Sequence, residues 1–289
     1  MIDMLLEMVD SSDELSRLSE RVQPAVLDAF KNAGAVGGDV KNALHGTWLG
    51  HPLHPVLVSL PIGAWTAAVL FDVGSGIFGR KELRAGADAC VAFGLVGALG
   101  SAATGLADWT GVTGKGRQLG SAHAILNLSA TALFATSLGL RRARHRKTGI
   151  ATALMGYGLA LVSSYIGGDL VYGKKVGVDH AERDGLPDDY VAVLAEGELE
   201  EGRPRRVDAK GAPVVLVRQG DTIRALYEKC SHMGGPLAEG SVEGDNIRCP
   251  WHGSCFSLDD GHVVDGPATF PQPCFDARIN KGQIEVRRV

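Results

Sequence analysis

The sequence predicts an α + β multidomain protein, with an N-terminal four-helix transmembrane bundle and a C-terminal all-β domain. Residues from about 55 to 173 are apolar and rich in glycine and alanine, whereas both ends of the chain are polar. Beyond residue 190 the pattern changes to short β-type segments separated by Gly-Asp and Asp-Gly turns, which is typical of antiparallel β structure. A chain of 289 residues also suits about two domains.

Changes in composition predict four consecutive segments. The first is a pair of amphipathic helices and the second is the membrane bundle. The third is a polar, turn-rich linker on which the fourth, the β domain, is able to pivot. Their predicted bounds are residues 1–50, 51–176, 177–189 and 190–289.

The first segment has apolar residues at helical spacing, and Ser12 with Asp13 forms a suitable cap just before them. A second short helix is predicted after a glycine-rich break at residues 34–38. We expect both helices to pack against the membrane bundle or the membrane surface.

Four apolar runs in the second segment are each near the length that crosses a bilayer. They comprise residues 55–79, 86–107, 119–140 and 149–168. A soluble helical bundle is the alternative, but four runs of this length disfavour it. Motifs in this region, such as His51-Pro-Leu-His54-Pro and Thr104-Gly-Leu-Ala-Asp-Trp109, resemble a bacterial four-helix membrane family, domain of unknown function 2231. The resemblance implies no established activity.

Four crossings place alternate helix ends at one membrane face, and several ionisable residues fall at those ends. They are His51, His54, Asp108, His123 and Asp169. Ionisable groups in a membrane are costly, which makes them functional candidates. One interpretation is a haem b ligated by His123 and either His51 or His54. A second is a quinone site, in which a histidine accepts a proton and Asp108 or Asp169 orients it. A third, which we favour, is hydrogen bonding that only holds the helix ends together.

Basic residues predict the orientation of the bundle. The loops after the first and third helices are richer in lysine and arginine than the opposite side. The positive-inside rule therefore places both termini and the β domain on the extracytoplasmic side of the cell membrane. Arg141-Arg142 suits a twin-arginine export signal before the fourth helix, although any basic cytoplasmic loop contains adjacent arginines.

Two cysteines and two histidines in the β domain form a pair of short motifs. These are Cys230-Ser-His232 and Cys249-Pro-Trp-His252, and a glycine follows each within two residues. Zinc also suits this ligand set, but zinc fingers pair cysteine with cysteine and histidine with histidine. The motifs and the residues around them resemble the Rieske [2Fe–2S] family. The resemblance implies that the two thiolates hold one iron and the two imidazoles hold the other.

Departures from the Rieske pattern bear on the reduction potential. High-potential members of the family brace the two loops with a disulfide, at positions where this chain has Gly235 and Trp251. Ser254 keeps a hydroxyl that such members place near a cluster sulfur, whereas Phe256 stands where they have tyrosine. Fewer hydrogen bonds to sulfur lower the potential, so a low-to-middle value is expected.

The other thiols and the overall charge add limits. Cys90, Cys255 and Cys274 are expected to be ordinary thiols, with a bond between Cys255 and Cys274 left open. A net charge of −4 argues against nucleic acid as a partner, so redox proteins and membrane lipid are the expected partners.

The expected function is a membrane-anchored one-electron carrier between a soluble redox partner and a membrane acceptor, either quinone or haem. A redox sensor and an electron-supplying ferredoxin component of an oxygenase system are the alternatives. An oxygenase itself is disfavoured, because no segment that binds mononuclear iron follows the last predicted strand. No self-contained catalytic site is identified, and whether the chain is itself an enzyme stays open.

Overall fold

A computed structural model of the protein describes residue 9 and residues 11–289. These residues form two compact units that do not follow chain order. The helical unit contains the described residues up to Gly37 together with Leu53–Val176, and the β unit contains Gly38–Pro52 together with Gly177–Val289. The segment bounds proposed from composition remain predictions.

Two helices precede the apolar region, α1 (Asp13–Asn32) and α2 (Gly34–His45). Helix α1 begins at the predicted cap, where Ser12 Oγ accepts a hydrogen bond from the Leu15 backbone N–H at 3.3 Å. The buried Gln23 amide of α1 donates to the carbonyl oxygens of Trp109 and Val112, both at 2.8 Å. Helix α1 is therefore attached to the helical unit, as expected.

Four long helices make up the rest of the helical unit. They are α3 (Leu53–Phe78), α4 (Lys81–Trp109), α5 (Gly114–Arg142) and α6 (Arg146–Gly168), the last continuing as a π-helical turn at Asp169–Gly173. Each is long and apolar enough to cross a membrane. The predicted four-helix bundle is confirmed. Neighbouring helices are α3 with α4, α4 with α5, α5 with α6 and α6 with α3, so α3 and α5 lie on one diagonal.

Large side chains of the diagonal helices α3 and α5 meet in pairs along the bundle axis. The pairs are His54 with His123, Trp65 with Phe134, and Asp72 with Arg141. The two rings of the middle pair stack with centroids 4.0 Å apart. The three residues on α3 are separated by 11 and then 7 residues, and so are their three partners on α5. This shared spacing indicates that the bundle is built from two copies of one helical hairpin.

The other diagonal, α4 and α6, supplies small residues opposite the large ones. A Cβ on Gly94 would lie 2.2 Å from Trp65 Nε1, and a Cβ on Gly156 would lie 3.2 Å from Phe134 Cδ2. The helices of each hairpin therefore approach closely because glycine faces an aromatic ring.

Ten strands form two antiparallel sheets in the β unit. The larger sheet has the order β1-β10-β9-β4-β3-β2, and the smaller has the order β5-β6-β7-β8. The strands are β1 (Val191–Ala195), β2 (Arg205–Ala209), β3 (Ala212–Gln219), β4 (Thr222–Tyr227), β5 (Ser241–Glu243), β6 (Asn246–Arg248), β7 (Cys255–Ser257), β8 (Val263–Asp265), β9 (Cys274–Asn280) and β10 (Gln283–Arg288). Neighbouring side chains of β3 point to opposite faces of the larger sheet, and both faces are buried. Val214 belongs to one buried core and Val215 to a second. The predicted all-β domain is confirmed.

Residues 177–189 pack on the sheets of the β unit. Ala181 and Leu186 are buried in the core of the larger sheet, and Arg183 donates to the Pro271 carbonyl oxygen at 2.6 Å. Tyr227 donates its hydroxyl to Glu182 at 3.2 Å. This segment, predicted to be a linker, is thus held by both apolar and polar contacts.

Candidate metal centre

The two Cys-His motifs adopt the same backbone turn at one end of the β unit. Cys230 N–H donates to the Gly235 carbonyl at 2.8 Å, and Cys249 N–H donates to the Ser254 carbonyl at 2.8 Å. In the return direction Gly234 N–H donates to the Cys230 carbonyl and Gly253 N–H to the Cys249 carbonyl, at 2.8 and 3.2 Å. Each turn thus closes on itself and holds its cysteine and histidine in a fixed relation.

Glycine is required in these turns for two different reasons. Gly234 and Gly253 have φ angles of 74° and 80°, a backbone conformation that glycine adopts without steric cost. A Cβ on Gly235 would lie 2.8 Å from Cys249 Sγ and 3.1 Å from the Trp251 ring. Position 235 of the first turn therefore requires glycine, because the Cys249 sulfur of the second turn approaches it closely.

The turns bring the four predicted ligands together as two like pairs. The Cys230 and Cys249 thiols lie close enough for each to shift the pKa of the other. The His232 and His252 rings lie with centroids 5.0 Å apart at an interplanar angle of 85°. Among the residues that the structure describes, no group of three or more His, Cys, Asp or Glu is arranged to hold one metal ion. Two pairs suit a two-iron cluster, in which each iron takes only two protein ligands.

Burial prepares these side chains for metal binding. Burial lowers the pKa of His232 to about 3 and also lowers the pKa of His252, so both imidazoles are neutral at pH 7. The hydrogen bond between the thiols raises the pKa of Cys230 and lowers that of Cys249 to about 7. His232 Nδ1 is buried and makes no hydrogen bond, which fits a nitrogen whose lone pair is directed at a metal.

A third loop, residues 266–273, is pinned to both turns. Ser231 of the first turn donates its hydroxyl to the Phe270 carbonyl at 2.7 Å, and its N–H donates to Gln272 Oε1 at 3.0 Å. The Ala268 N–H donates to Ser254 Oγ of the second turn at 3.0 Å. Gln272 is buried and also donates to the Tyr227 and Lys229 carbonyls. The loop is therefore bonded to both turns of the candidate site, in which Cys230 and Cys249 are buried.

The segment Gly38–Pro52, which we term the strap, lies on this third loop. Asn42 Oδ1 accepts a hydrogen bond from the Gly266 N–H at 2.9 Å, and the His51 ring meets the Phe270 ring edge-on at 6.2 Å. His45 of the strap is 1% exposed. The second N-terminal helix, expected to pack on the membrane bundle or the membrane surface, thus contacts the third loop of the β unit.

Side chains next to the ligands match the expected departures from the Rieske pattern. Ser254 and Phe256 are both fully buried. The Ser254 oxygen accepts from Ala268, which leaves its hydroxyl hydrogen available to a cluster atom. Trp251 is 57% exposed, and its ring lies 6.3 Å from the His252 ring, so this histidine is beside the more accessible edge of the site. Cys255 and Cys274 are free thiols, as is Cys90.

The membrane candidates fall in two separate groups. His54 and His123 of the helical unit have ring centroids 6.4 Å apart. Their hydrogen bonds go to hydroxyl, amide and carbonyl groups of the bundle. His51 belongs to the β unit, where its Nδ1 lies 3.0 Å from the Pro52 carbonyl oxygen. The roles of all three, and of Asp108 and Asp169, remain predictions.

Comparison with known proteins agrees with the candidate site. Residues 189–276 match the Rieske [2Fe–2S] domain family. Ferredoxin CarAc of Metapseudomonas resinovorans is 34% identical over 98 residues, which cover 34% of this chain and 92% of that protein. The chain belongs to the Rieske [2Fe–2S] family, which supports a Rieske-type cluster as its cofactor. Its residues 50–180 match a second family, Predicted membrane protein (DUF2231), so the Rieske domain is joined to a membrane-protein module.

Other relatives cover the same part of the chain. Apoptosis-inducing factor 3 of Homo sapiens is 37% identical over 103 residues, which are 35% of this chain but only 17% of that protein. The ferredoxin of carbazole 1,9a-dioxygenase from Nocardioides aromaticivorans IC177 is 28% identical, with a TM-score of 0.33 over 35% of this chain and 98% of that one. The comparisons do not support haem.

Proposed function

We propose that this protein is a membrane-anchored one-electron carrier. In this proposal Cys230 and Cys249 bind one iron of a [2Fe–2S] cluster, and His232 and His252 bind the other. The observation that supports it best is the meeting of two equivalent turns that pair thiol with thiol and imidazole with imidazole. When bound, the cluster supplies reversible one-electron chemistry.

The protein's own residues prepare and protect that chemistry. Neutral imidazoles and a readily ionised Cys249 thiol offer electron pairs to iron near pH 7. The third loop keeps solvent away from the thiols, while Trp251 and His252 form the accessible edge. A soluble redox partner would dock at this edge. Membrane lipid surrounds α3 to α6, and the membrane acceptor is a quinone or a haem.

A second candidate is a ferredoxin that supplies electrons to an oxygenase. The relatives Ferredoxin CarAc and the anthranilate 1,2-dioxygenase ferredoxin subunit of Burkholderia cepacia favour it, since the match covers 92% and 82% of their lengths. Both candidates use the same cluster and the same accessible edge, and they differ in the electron acceptor.

We infer a multi-pass arrangement with both termini and the β unit on the extracytoplasmic side. The loops rich in Lys and Arg support it. Arg141 and Arg146 contribute less than the count suggests, because both form ion pairs with Asp72 and Asp88. A protease-accessibility assay on sealed vesicles tests the orientation.

The main proposal is tested by metal analysis and electron paramagnetic resonance of the full-length protein in detergent. We expect two irons and two acid-labile sulfides per chain, with a Rieske-type resonance after reduction. Stoichiometric zinc with no such resonance would favour the zinc alternative and reject the proposal.

Ser254→Ala is expected to lower the reduction potential of the cluster. Removing one hydrogen bond to a cluster sulfur costs about 1.4 kcal/mol in the reduced state, which equals about 60 mV for one electron. A redox titration followed by paramagnetic resonance measures the shift. Ser257→Ala is the matched control, since Ser257 is also buried and also accepts a backbone N–H, from Asp259. Equal potentials in the Ser254 variant and the control contradict the assigned role.

A further inference from the structure

The histidine pair of the helical unit has the geometry of a ligand site. The His54 and His123 rings lie 6.4 Å apart at an interplanar angle of 84°, on helices long and apolar enough to cross a membrane. We propose that His54 and His123 are the two axial ligands of one haem b in this unit. The inference rests on the proposed function and deepens it, because it names the membrane redox group.

Hydrogen bonds set the tautomer of both rings. His54 Nδ1 lies 2.8 Å from the Ser101 carbonyl oxygen, and His123 Nδ1 lies 2.9 Å from the Ser163 carbonyl oxygen. A carbonyl oxygen only accepts, so each Nδ1 carries the proton and each Nε2 keeps a lone pair. This is the arrangement in which a second hydrogen bond orients a metal-binding histidine. The Asn127 amide, 3.0 Å from His123 Nε2, donates to that lone pair, and an iron bound at His123 would take the place of the amide.

Two Nε2 lone pairs, on rings whose centroids lie 6.4 Å apart, favour an electron-pair acceptor over a quinone. A quinone carbonyl needs a hydrogen-bond donor, which Nε2 in this tautomer is not. A quinol hydroxyl donates to only one nitrogen, whereas one iron accepts both. With metal–imidazole bonds of about 2 Å, two rings on opposite sides of one iron have centroids about 6 Å apart. The observed separation agrees with that requirement.

The small number of protein ligands favours haem over a bare metal ion. In the part of the chain that the structure describes, no third His, Cys, Asp or Glu completes a metal site here. Two imidazoles suffice where a porphyrin supplies the four remaining nitrogens, and an apolar macrocycle suits an apolar bundle.

The internal repeat makes the two ligands equivalent. His54 faces Gly105 and His123 faces Gly167, and a Cβ on these glycines would lie 2.7 and 3.0 Å from the respective Cε1 atoms. Each glycine lies four residues after the serine whose carbonyl fixes the ring. Both hairpins therefore build the same histidine pocket, as expected for a ligand pair across a diagonal.

The experiment uses full-length protein purified in detergent from haem-replete cells. Haem per chain is measured as the pyridine haemochrome, and the cluster is measured in the same sample by paramagnetic resonance. We expect a low-spin, six-coordinate haem spectrum in the unmodified protein. His54→Ala and His123→Ala should each lower haem content about tenfold or more while keeping the cluster signal.

Two controls separate ligation from folding. His145→Ala removes an exposed histidine that caps α6 without a side-chain hydrogen bond, and it should leave haem content unchanged. In His54→Gly, free imidazole should restore the low-spin spectrum, which it would not do for a purely structural histidine.

Two results would overturn the inference. One is haem-free protein that shows no low-spin spectrum when titrated with haemin, and the other is haem retained in the His54→Ala/His123→Ala double variant. Either result with the cluster signal intact rejects only the haem. Absence of the cluster signal from the unmodified protein rejects the proposed function instead.

Discussion

Cys249→Ala is expected to abolish the iron–sulfur cluster. The Cys249 sulfur is one of only two thiol ligands in the proposed site, and the other, Cys230, already contacts it. With one thiolate gone, its iron keeps a single protein ligand and the opened site admits water. Iron content should fall from two per chain to near zero, and the Rieske-type resonance should disappear.

The chain supplies a matched control for this experiment. Cys274→Ala removes a half-buried thiol whose pKa burial raises to about 11, so it is protonated and poorly suited to bind metal at pH 7. This variant should keep both irons. A Rieske-type resonance that persists in Cys249→Ala contradicts the ligand assignment, whatever the control shows.

The cluster turns were predictable from sequence because their determinants are local. Cysteine, histidine and glycine recur within a few residues of each other. The glycines lie where the backbone has a positive φ angle or where a cysteine sulfur approaches closely. Gln272 was not predicted. It fixes the third loop through carbonyls more than forty residues away in the chain. Nothing about an isolated glutamine signals such a role.

The strap was also missed, for a related reason. Its helical pattern was read correctly, but the helix alone does not reveal which partner it contacts. Asn42 bonds Gly266, 224 residues further along the chain. Since asparagine is a common surface residue, the sequence around Asn42 does not indicate that its side chain forms this hydrogen bond.

The four long helices followed from hydropathy, whereas the pairing inside the bundle did not. The sequence pattern assigned Arg141 to a basic loop and did not relate it to Asp72. The available signal was the repeated spacing that relates His54 and Asp72 on α3 to His123 and Arg141 on α5. A search for that repeat would have predicted the charge pair, because equivalent positions on diagonal helices meet in the core.

Arg141→Ala is expected to destabilise the helical unit by about 3 kcal/mol. The Arg141 side chain is fully buried, where it pairs with Asp72 and, at 3.0 Å, with Asp88. Without it, Arg146 remains as the counter-ion for both carboxylates, at 3.0 Å from Asp72 and 2.9 Å from Asp88. In the variant, each carboxylate has one arginine partner instead of two. The free-energy cost of a buried carboxylate with too little counter-charge exceeds the stability that the ion pair itself contributed.

Thermal unfolding in detergent, followed by circular dichroism, measures the effect. Arg142→Ala is the matched control: it removes an adjacent, exposed arginine and should change stability by less than about 0.5 kcal/mol. The Asp72→Asn/Arg141→Gln double variant should recover part of the loss, because it leaves fewer uncompensated charges in the core. If the two single arginine variants unfold at the same temperature, the buried ion pair is not a major source of stability. Arg141 would then matter only for its contribution to the positive charge of the loop.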